Sequence, residues 1–241
     1  MKIFLLIGQS NMAGPQACRP SEKDDKRLKG VLLLNKKGEW EPAKNTLNRY
    51  STIMPKEYNC GLNPGVTFAE TLTKKVKGEK IGLICNARGA TKLSEWEKGT
   101  KYFKEAVKRV KQGCRQDELA GVLWLQGEQD TIDSADYSNY GQRFEKFIYD
   151  MRKALGKPDL PFIVGEIWGE ARKVLTKWSE GTNAVDKQIK LIVQKTSNCV
   201  LVRSKKIAYL PHEPVHFAPE GMRVLGRRYA RAYLKNWAKD L

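Results

Sequence analysis

Residues 3–14 read IFLLIGQSNMAG, an apolar run of five residues that ends in a glycine followed closely by a serine. A continuous apolar run of this length is typical of a strand that is covered on both faces. Similar runs follow along the chain at Val31–Leu34, Ile81–Cys85, Val122–Leu125, Phe162–Ile167 and Val200–Val202. Because longer segments with helical periodicity separate many of these runs, the pattern predicts βαβ units and a mainly parallel sheet.

Four segments carry apolar residues at the three- and four-residue spacing of a helix with one buried face. The clearest covers residues 137–155, and the others lie near residues 66–76, 102–111 and 220–238. Residues 35–65 contain Gly, Pro and Asn with little periodicity, so we expect a long loop there. Loops of that length within a compact domain are usually functional.

These elements together predict an α/β protein, a three-layer α/β/α sandwich around a mainly parallel, flavodoxin-like sheet. A chain of 241 residues with 41% hydrophobic residues can bury a core of ordinary size. No repeat, low-complexity tract or linker interrupts the sequence, so we expect residues 1–241 to form a single domain.

The five cysteines are an odd number without a Cys-x-x-Cys pair, which argues against a structural zinc site or a disulfide framework. A Cys18–Cys60 disulfide stays open, whereas Cys85 and Cys199 are expected to pack as small hydrophobic side chains. No apolar run approaches the roughly 18–20 residues of a membrane span, and no signal-peptide pattern is present. We therefore expect a cytoplasmic protein without membrane association, or alternatively an exported protein whose signal has been removed.

The chain carries 44 basic and 27 acidic residues, a formal net charge of +17. Such a charge attracts polyanions at long range. The lysines are nevertheless spread along the chain, and no stripe of basic and aromatic residues indicates nucleic-acid recognition. Solvated helix faces explain this pattern most simply; an anionic polysaccharide substrate would also benefit from it, and nucleic-acid binding is a weaker alternative.

Ser10 and the chain's two histidines, His212 and His216, define the candidate chemistry. A serine that follows a parallel strand lies at the edge of the sheet where ligands bind. Its hydroxyl needs a base, and in the pattern Glu213-x-x-His216 the carboxylate can reach Nδ1 and leave Nε2 free for the serine proton. The structural alternatives are a helix N-cap at Ser10 and a packed surface histidine at position 216.

The segment from His212 to His216 also matches His-Glu-x-x-His, the pattern of zinc metalloproteases. That chemistry requires both imidazoles one turn apart on a helix, and Pro214 disfavours a helix there. The chain contains no third histidine to complete the ligand set. We therefore expect neither a metal nor a cofactor.

Acyl transfer also requires donors for the oxyanion that develops on the carbonyl. Gln126 ends a predicted strand at the same sheet edge as Ser10, and Gly65 stands where a helix begins. We expect the Gln126 side chain and the Gly65 N–H to join the N–H of Ser10, although a strand-end turn and a helix entry explain the first two equally well. Glu128 and Asp130 are expected to hold the Gln126 loop or to pair with an arginine such as Arg88, rather than to form a glycosidase acid pair.

The segments, taken in order, resemble the SGNH hydrolases, specifically the sialate O-acetylesterase and acetylxylan esterase group (carbohydrate esterase family 6). The blocks that carry the resemblance are GQSNMAG (8–14), Gly65, ARGATKLSEW (87–96), QGE (126–128) and EPVHF (213–217). The first and fourth of these blocks are the most specific. Two residues depart from the family pattern: Leu125 stands in place of a histidine, and Glu213 in place of the more usual aspartate.

The resemblance implies a serine esterase that removes O-acetyl groups from an acetylated oligo- or polysaccharide through an acetyl-enzyme. Catalysis would then rest on Ser10, His216 and Glu213, with an oxyanion hole of Ser10, Gly65 and Gln126. Contacts with substrate are expected from Gln9, Arg88 and Trp96. A non-catalytic glycan-binding protein of the same fold and a zinc hydrolase are the alternatives.

Overall fold

The central sheet of the computed structural model is built on the strand that the first apolar run predicts. The structure describes residues 1–24, 26–55, 58, 60–76, 78–114, 119–167 and 179–238. Within these residues the sheet has seven strands: β1 (Lys2–Gly8), β2 (Val31–Leu34), β3 (Trp40–Pro42), β4 (Ile81–Cys85), β5 (Leu119–Leu125), β6 (Phe162–Gly165) and β7 (Cys199–Val202).

The strands lie in the order β3-β2-β4-β1-β5-β6-β7, and every neighbouring pair is parallel except β2 with β3. The five strands β4-β1-β5-β6-β7 reproduce the flavodoxin-like order 2-1-3-4-5. Strands β2 and β3 extend that sheet beyond β4. The predicted mainly parallel α/β sheet is therefore confirmed.

The helices of the described residues are α1 (Ser10–Ala13), α2 (Gly65–Lys75), α3 (Lys101–Gly113), α4 (Ser134–Tyr137), α5 (Tyr140–Leu155), α6 (Ser179–Lys195) and α7 (Pro219–Trp237). Alternate side chains of β1 point to opposite faces of the sheet. Phe4 and Leu6 pack in a core with residues of α2 and α7, whereas Ile3 and Leu5 pack in a second core with residues of α3, α5 and α6. The sheet thus has a buried helical layer on each side, which explains why β1 is apolar throughout.

Three features differ from the sequence-based expectations. Helix α6 was not predicted, although Val185, Ile189 and Val193 recur on its buried side. The stretch expected to be a long loop contains β3 and a short 3₁₀ turn at Leu47–Tyr50. His216 lies on an antiparallel ribbon of β8 (Tyr209–Leu210) and β9 (Glu213–Phe217) rather than on a loop.

The cysteines carry free thiols, so the Cys18–Cys60 disulfide considered above is not formed. Cys18 is fully buried, and burial raises its thiol pKa to about 12. Burial likewise raises the pKa of Cys85 to about 12, in keeping with its packing inside the sheet. Among the described residues, no helix has the length and apolar character needed to cross a bilayer.

Candidate active site

A tight turn after β1 presents Ser10 at the carboxyl edge of the sheet. Gly8 has a φ of 137°, and a Cβ at this position would collide with the carbonyl oxygen of Leu125, so only glycine fits. The N–H of Gln9 donates to that same oxygen at 2.9 Å, and the N–H of Arg88 donates to the Gly8 carbonyl at 3.0 Å. Hydrogen bonds therefore join the turn to the end of β5 and to the segment that follows β4. Ser10 begins the short helix α1.

Ser10, His216 and Glu213 form a hydrogen-bonded series across this edge. Nε2 of His216 lies 3.1 Å from Oγ of Ser10, and Nδ1 lies 2.7 Å from Oε2 of Glu213. These are the contacts of a nucleophile, a base and a carboxylate that orients the base. The N-cap interpretation of Ser10 is wrong, because Gln9 occupies the cap position and the Ser10 hydroxyl faces the imidazole.

The three side chains lie at different depths. Ser10 is 9% exposed, whereas the side chains of His216 and Glu213 are 22% and 50% exposed. Water and salt screen a charge at the exposed end of the series more than one at the buried end. The bond between Glu213 and His216 therefore contributes orientation more than electrostatic stabilisation.

The zinc-protease pattern lacks its required geometry. Glu213–Phe217 is a strand, so His212 and His216 do not share one face of a helix. Both ring nitrogens of His216 are within hydrogen-bond distance of other side chains, Ser10 and Glu213. The segment is thus arranged for proton transfer with a serine.

Gln126 does not reach the oxyanion position, and this expectation was wrong. Its side chain is fully buried, and Nε2 donates to the Thr91 carbonyl at 2.8 Å and to Oδ2 of Asp130 at 2.5 Å. Its Oε1 accepts a hydrogen bond from the Tyr140 hydroxyl at 3.0 Å. Because both amide hydrogens are engaged, Gln126 holds together the loops beneath the site.

Gly65 and Trp96 are also displaced from their expected roles. The N–H of Gly65 donates to Oδ1 of Asn63 at 3.0 Å, and a Cβ on Gly65 would meet core leucine side chains. Trp96 is fully buried, and its Nε1 donates to Oγ1 of Thr91 at 3.0 Å. Both residues therefore support the fold from within the core. The sequence motifs did not predict this, because the spacing of residues does not specify which way a side chain or an N–H points.

The other two predicted contacts do line the cleft beside Ser10, which has a volume of about 410 Å³. Gln9 lies in its wall, and so does Arg88, whose Nη1 donates to the carbonyl of Ile53 at 2.8 Å. Arg88 therefore does not pair with either of the carboxylates considered for it. An exposed Ile132 contributes an apolar part of the rim, a contact that the motifs did not indicate.

Glu128 lines the cleft and Asp130 lies behind it, and both carboxyl groups are buried. Burial raises the pKa of Glu128 to about 7, against a lowering effect of the hydrogen bond from Asn11. Burial raises the pKa of Asp130 to about 6, and the bond from Gln126 acts in the opposite direction. Asp130 holds the Gln126 loop, as predicted, and it also accepts from the N–H of Leu93 at 3.0 Å.

Asn11 is a site residue whose role the sequence did not reveal. Its Nδ2 donates to Oε1 of Glu128 at 2.8 Å and to the carbonyl of Val215 at 3.0 Å, and its Oδ1 accepts from the N–H of Phe217 at 3.1 Å. Its place in the GQSNMAG block was the available signal. Its partners lie 117 to 206 residues away, beyond any local pattern.

A serine and a histidine that meet at the carboxyl edge of a flavodoxin-like sheet define the class, an α/β hydrolase of the SGNH type. The comparison with protein families identifies the group more closely. Residues 1–235 match the model described as carbohydrate esterase, sialic acid-specific acetylesterase, and the chain belongs to this family. It is accordingly a carboxylic ester hydrolase.

Known proteins agree with this assignment. The chain is 30% identical to the "Probable carbohydrate esterase At4g34215" of Arabidopsis thaliana, over 98% of this chain and 91% of the plant protein. The solved structure of that Arabidopsis protein has a TM-score of 0.84 at 28% identity and covers 98% of both chains.

Two more distant structures share the fold. NanS has a TM-score of 0.79 at 16% identity and covers 99% of this chain and 98% of its own. Axe2, an acetyl-xylooligosaccharide esterase from Geobacillus, has a TM-score of 0.61 at 13% identity and covers 98% of this chain and 95% of its own. At these identities the likeness concerns the architecture alone.

The two departures from the family pattern have distinct structural settings. Leu125 is fully buried at the end of β5 and packs in the core on the α2 and α7 side of the sheet. Glu213 reaches the imidazole of His216 at 2.7 Å despite its additional methylene group. Neither substitution interrupts the series from Ser10 to Glu213.

Proposed function

We propose that this protein removes O-acetyl groups from carbohydrates, with Ser10 as nucleophile, His216 as general base and Glu213 as the group that orients His216. The observation that carries the proposal is the 3.1 Å separation of Oγ of Ser10 from Nε2 of His216 at the wall of the cleft. Membership of the carbohydrate esterase family supports the substrate class.

In the first step, Oγ of Ser10 attacks the acetyl carbonyl carbon while Nε2 of His216 takes the hydroxyl proton. The tetrahedral intermediate then releases the sugar hydroxyl, which receives that proton from His216, and Ser10 keeps the acetyl group. In the second step, His216 takes a proton from water, which attacks the acetyl-serine. Acetate leaves, and the proton returns to Ser10.

Two backbone N–H groups are our candidates for stabilising the oxyanion, those of Ser10 and Gly89. Both residues line the cleft, and a Cβ added to Gly89 would come within 3.5 Å of Cβ of Ser10. The backbone of Gly89 therefore lies beside Ser10, where its N–H is a candidate donor to an oxyanion that forms there. The N–H of Ser10 keeps its expected role, and Gly89 takes the place of Gln126 and Gly65, whose donors are bonded elsewhere.

Turnover of p-nitrophenyl acetate by single variants tests the mechanism. We expect Ser10→Ala and His216→Ala to lose about 10³-fold or more in kcat/KM, since a member of the triad cannot be replaced by its neighbours. Glu213→Gln should lose less, because its bond to His216 is exposed to solvent. His212→Ala is the matched control, because it removes the other, exposed histidine and should keep wild-type activity.

Covalent labelling separates this enzyme from a glycan-binding protein of the same fold. A fluorophosphonate should add to Ser10 in the wild type, and mass spectrometry should find no adduct in Ser10→Ala. Glycan binding without labelling or turnover would establish the binding protein instead. Wild-type turnover in Ser10→Ala or His216→Ala would refute the proposed mechanism.

Acetate release from natural esters tests the substrate. The family description names sialic acid, and the Geobacillus neighbour is described as acting on acetyl-xylooligosaccharides. O-acetylated sialic acid and acetylated xylooligosaccharides are therefore the two substrates to compare first. If the protein hydrolyses p-nitrophenyl acetate but releases no acetate from any acetylated glycan, the proposed esterase mechanism would stand and the proposed carbohydrate substrate would be wrong.

A further inference from the structure

We infer that Asn11 and Glu128 are positioning residues that hold His216 in line with Ser10. The inference rests on the proposed function, since it concerns the same serine and histidine. Neither residue is placed in the proton-transfer series itself. They would act on His216 indirectly, through hydrogen bonds to the backbone of the two residues that flank it.

The Asn11 side chain binds the two residues that flank His216. It donates to the carbonyl of Val215 and accepts from the N–H of Phe217, at 3.0 and 3.1 Å. Asn11 is also the chain neighbour of Ser10 and is fully buried. One side chain therefore sets the distance between the nucleophile and the strand that carries its base.

The strand that carries His216 needs such support. It belongs to a ribbon of two strands that lies outside the main sheet, and β8 has only two residues. An isolated two-stranded ribbon is marginally stable at best. Phe217 is buried at one end of β9, but Val215 and His216 are only partly buried, so the Asn11 bonds restrain the exposed part of the strand.

Glu128 acts with Val215 and Phe217 to fix which way the Asn11 amide faces. Its Oε1 accepts from Nδ2 of Asn11 at 2.8 Å, and a carboxylate accepts hydrogen bonds but does not donate them. A flipped amide would direct oxygen towards oxygen at both Glu128 and Val215. The carboxyl group thus selects the orientation in which Asn11 can bind both flanks of His216.

The burial of Glu128 is itself unfavourable, which argues for a role beyond packing. The residue is 4% exposed, and its Oε2 has no hydrogen-bond partner among the described residues. A buried acceptor without a partner is unfavourable, because it has lost its hydrogen bonds to water. A carboxyl group buried in this way, in contact with the chain neighbour of Ser10, fits a positioning role.

The variants Asn11→Ala, Asn11→Asp, Glu128→Ala and Glu128→Gln test the inference in p-nitrophenyl acetate turnover and in the rate of fluorophosphonate labelling. We expect Asn11→Ala and Asn11→Asp to lose about 10²-fold in kcat with little change in KM, since a displacement near 1 Å can have that effect. Glu128→Ala should lose activity in the same direction. Glu128→Gln keeps an acceptor for Asn11, so it should restore most of what Glu128→Ala loses.

The same substitutions in the His216→Ala background distinguish positioning from general damage. A residue that acts through His216 should have little further effect once that imidazole is gone. Asn198→Ala is the control for stability, because it removes side-chain hydrogen bonds at the opposite edge of the sheet. It should lower the melting temperature and leave the labelling rate unchanged.

Several outcomes would overturn the inference. A wild-type kcat in Asn11→Asp and Glu128→Ala would overturn it. These two variants are enough to test the inference if Asn11→Ala does not fold. Equal losses in the presence and absence of His216 would also overturn it. In either case Ser10→Ala and His216→Ala would remain inactive, and the proposed function would stand; activity in those two variants would instead refute the proposed function.

Discussion

Glu128 and Asp130 place two buried carboxyl groups at the cleft, Glu128 in its wall and Asp130 behind it. Each is held by an amide side chain, Glu128 by Asn11 and Asp130 by Gln126. Buried polar networks specify a single arrangement when their members are satisfied and are unfavourable when they are not. This network therefore fixes the loops that surround Ser10, at the expense of stability when the carboxyl groups ionise.

The pH dependence of stability tests the burial of Glu128. Its pKa is raised in the fold to about 7, against about 4.3 for an unperturbed glutamate. Its contribution to stability is then fully present below about pH 4 and is lost as the pH rises through 7. We expect Glu128→Gln, which cannot ionise, to gain up to about 3 kcal/mol relative to the wild type between pH 4 and pH 8.

Urea unfolding at several pH values measures this difference. Glu220→Gln is the control, since it removes an exposed carboxylate on α7. A difference between Glu128→Gln and the wild type that stays constant from pH 4 to pH 8 would contradict the raised pKa. Asp24 provides a contrast, because its bonds to Arg223 and Ser21 outweigh burial and lower its pKa.

Helices α2 and α7 pack closely because Gly226 has no side chain. A Cβ at Gly226 would collide with the Pro64 carbonyl oxygen and with Oγ1 of Thr67, and it would lie 2.9 Å from the N of Phe68. The Thr67 hydroxyl also donates across this contact to the Arg223 carbonyl at 2.8 Å. The small residue thus lets two helix backbones approach on one face of the sheet.

Enlarging Gly226 should separate these helices. We expect Gly226→Ala to lower the free energy of unfolding by about 1–3 kcal/mol, because over-packing forces backbone shifts. Thermal and urea unfolding measure the loss, and Arg231→Ala, at an exposed position of the same helix, is the control. A Gly226→Ala variant as stable as the wild type would show that the two helices can part without a penalty.

The molecule as a whole is strongly basic, and part of this charge is concentrated away from the active site. A cleft at the amino ends of β2 and β4 is lined by five cationic side chains and two carboxylates: Lys26, Arg27, Lys29, Lys74, Lys80, Glu70 and Glu79. Ser10 and His216 lie at the carboxyl edge of the same sheet. This basic cleft and the pair of Ser10 and His216 therefore lie at opposite ends of the sheet.

This distribution predicts salt-sensitive attraction to anionic polysaccharides. We expect binding to polygalacturonate to weaken as salt rises from about 0.01 to 0.15 M, because the Debye length then falls from about 30 to 8 Å. Turnover of the neutral p-nitrophenyl acetate should not change. Binding that does not depend on salt would contradict an electrostatic origin.

Charge reversal locates the attraction. Replacing Lys29, Lys74 and Lys80 with Glu alters the basic cleft, and replacing Lys104, Lys108 and Lys111 with Glu makes the same change of charge on α3. A larger loss of binding in the first variant would assign the attraction to the cleft. Equal losses would assign it to net charge alone.

The amino-acid pattern alone was sufficient for the parallel sheet, most of its helices and the pairing of Ser10 with His216. Apolar runs and helical spacing are local consequences of burial, and two histidines leave few choices of base. The directions of Gln126, Gly65 and Trp96 and the role of Asn11 were decided only by tertiary structure. Their hydrogen-bond partners and packing neighbours are set by contacts between segments far apart in the chain. The local spacing of residues does not determine which side chain bonds to which buried acceptor.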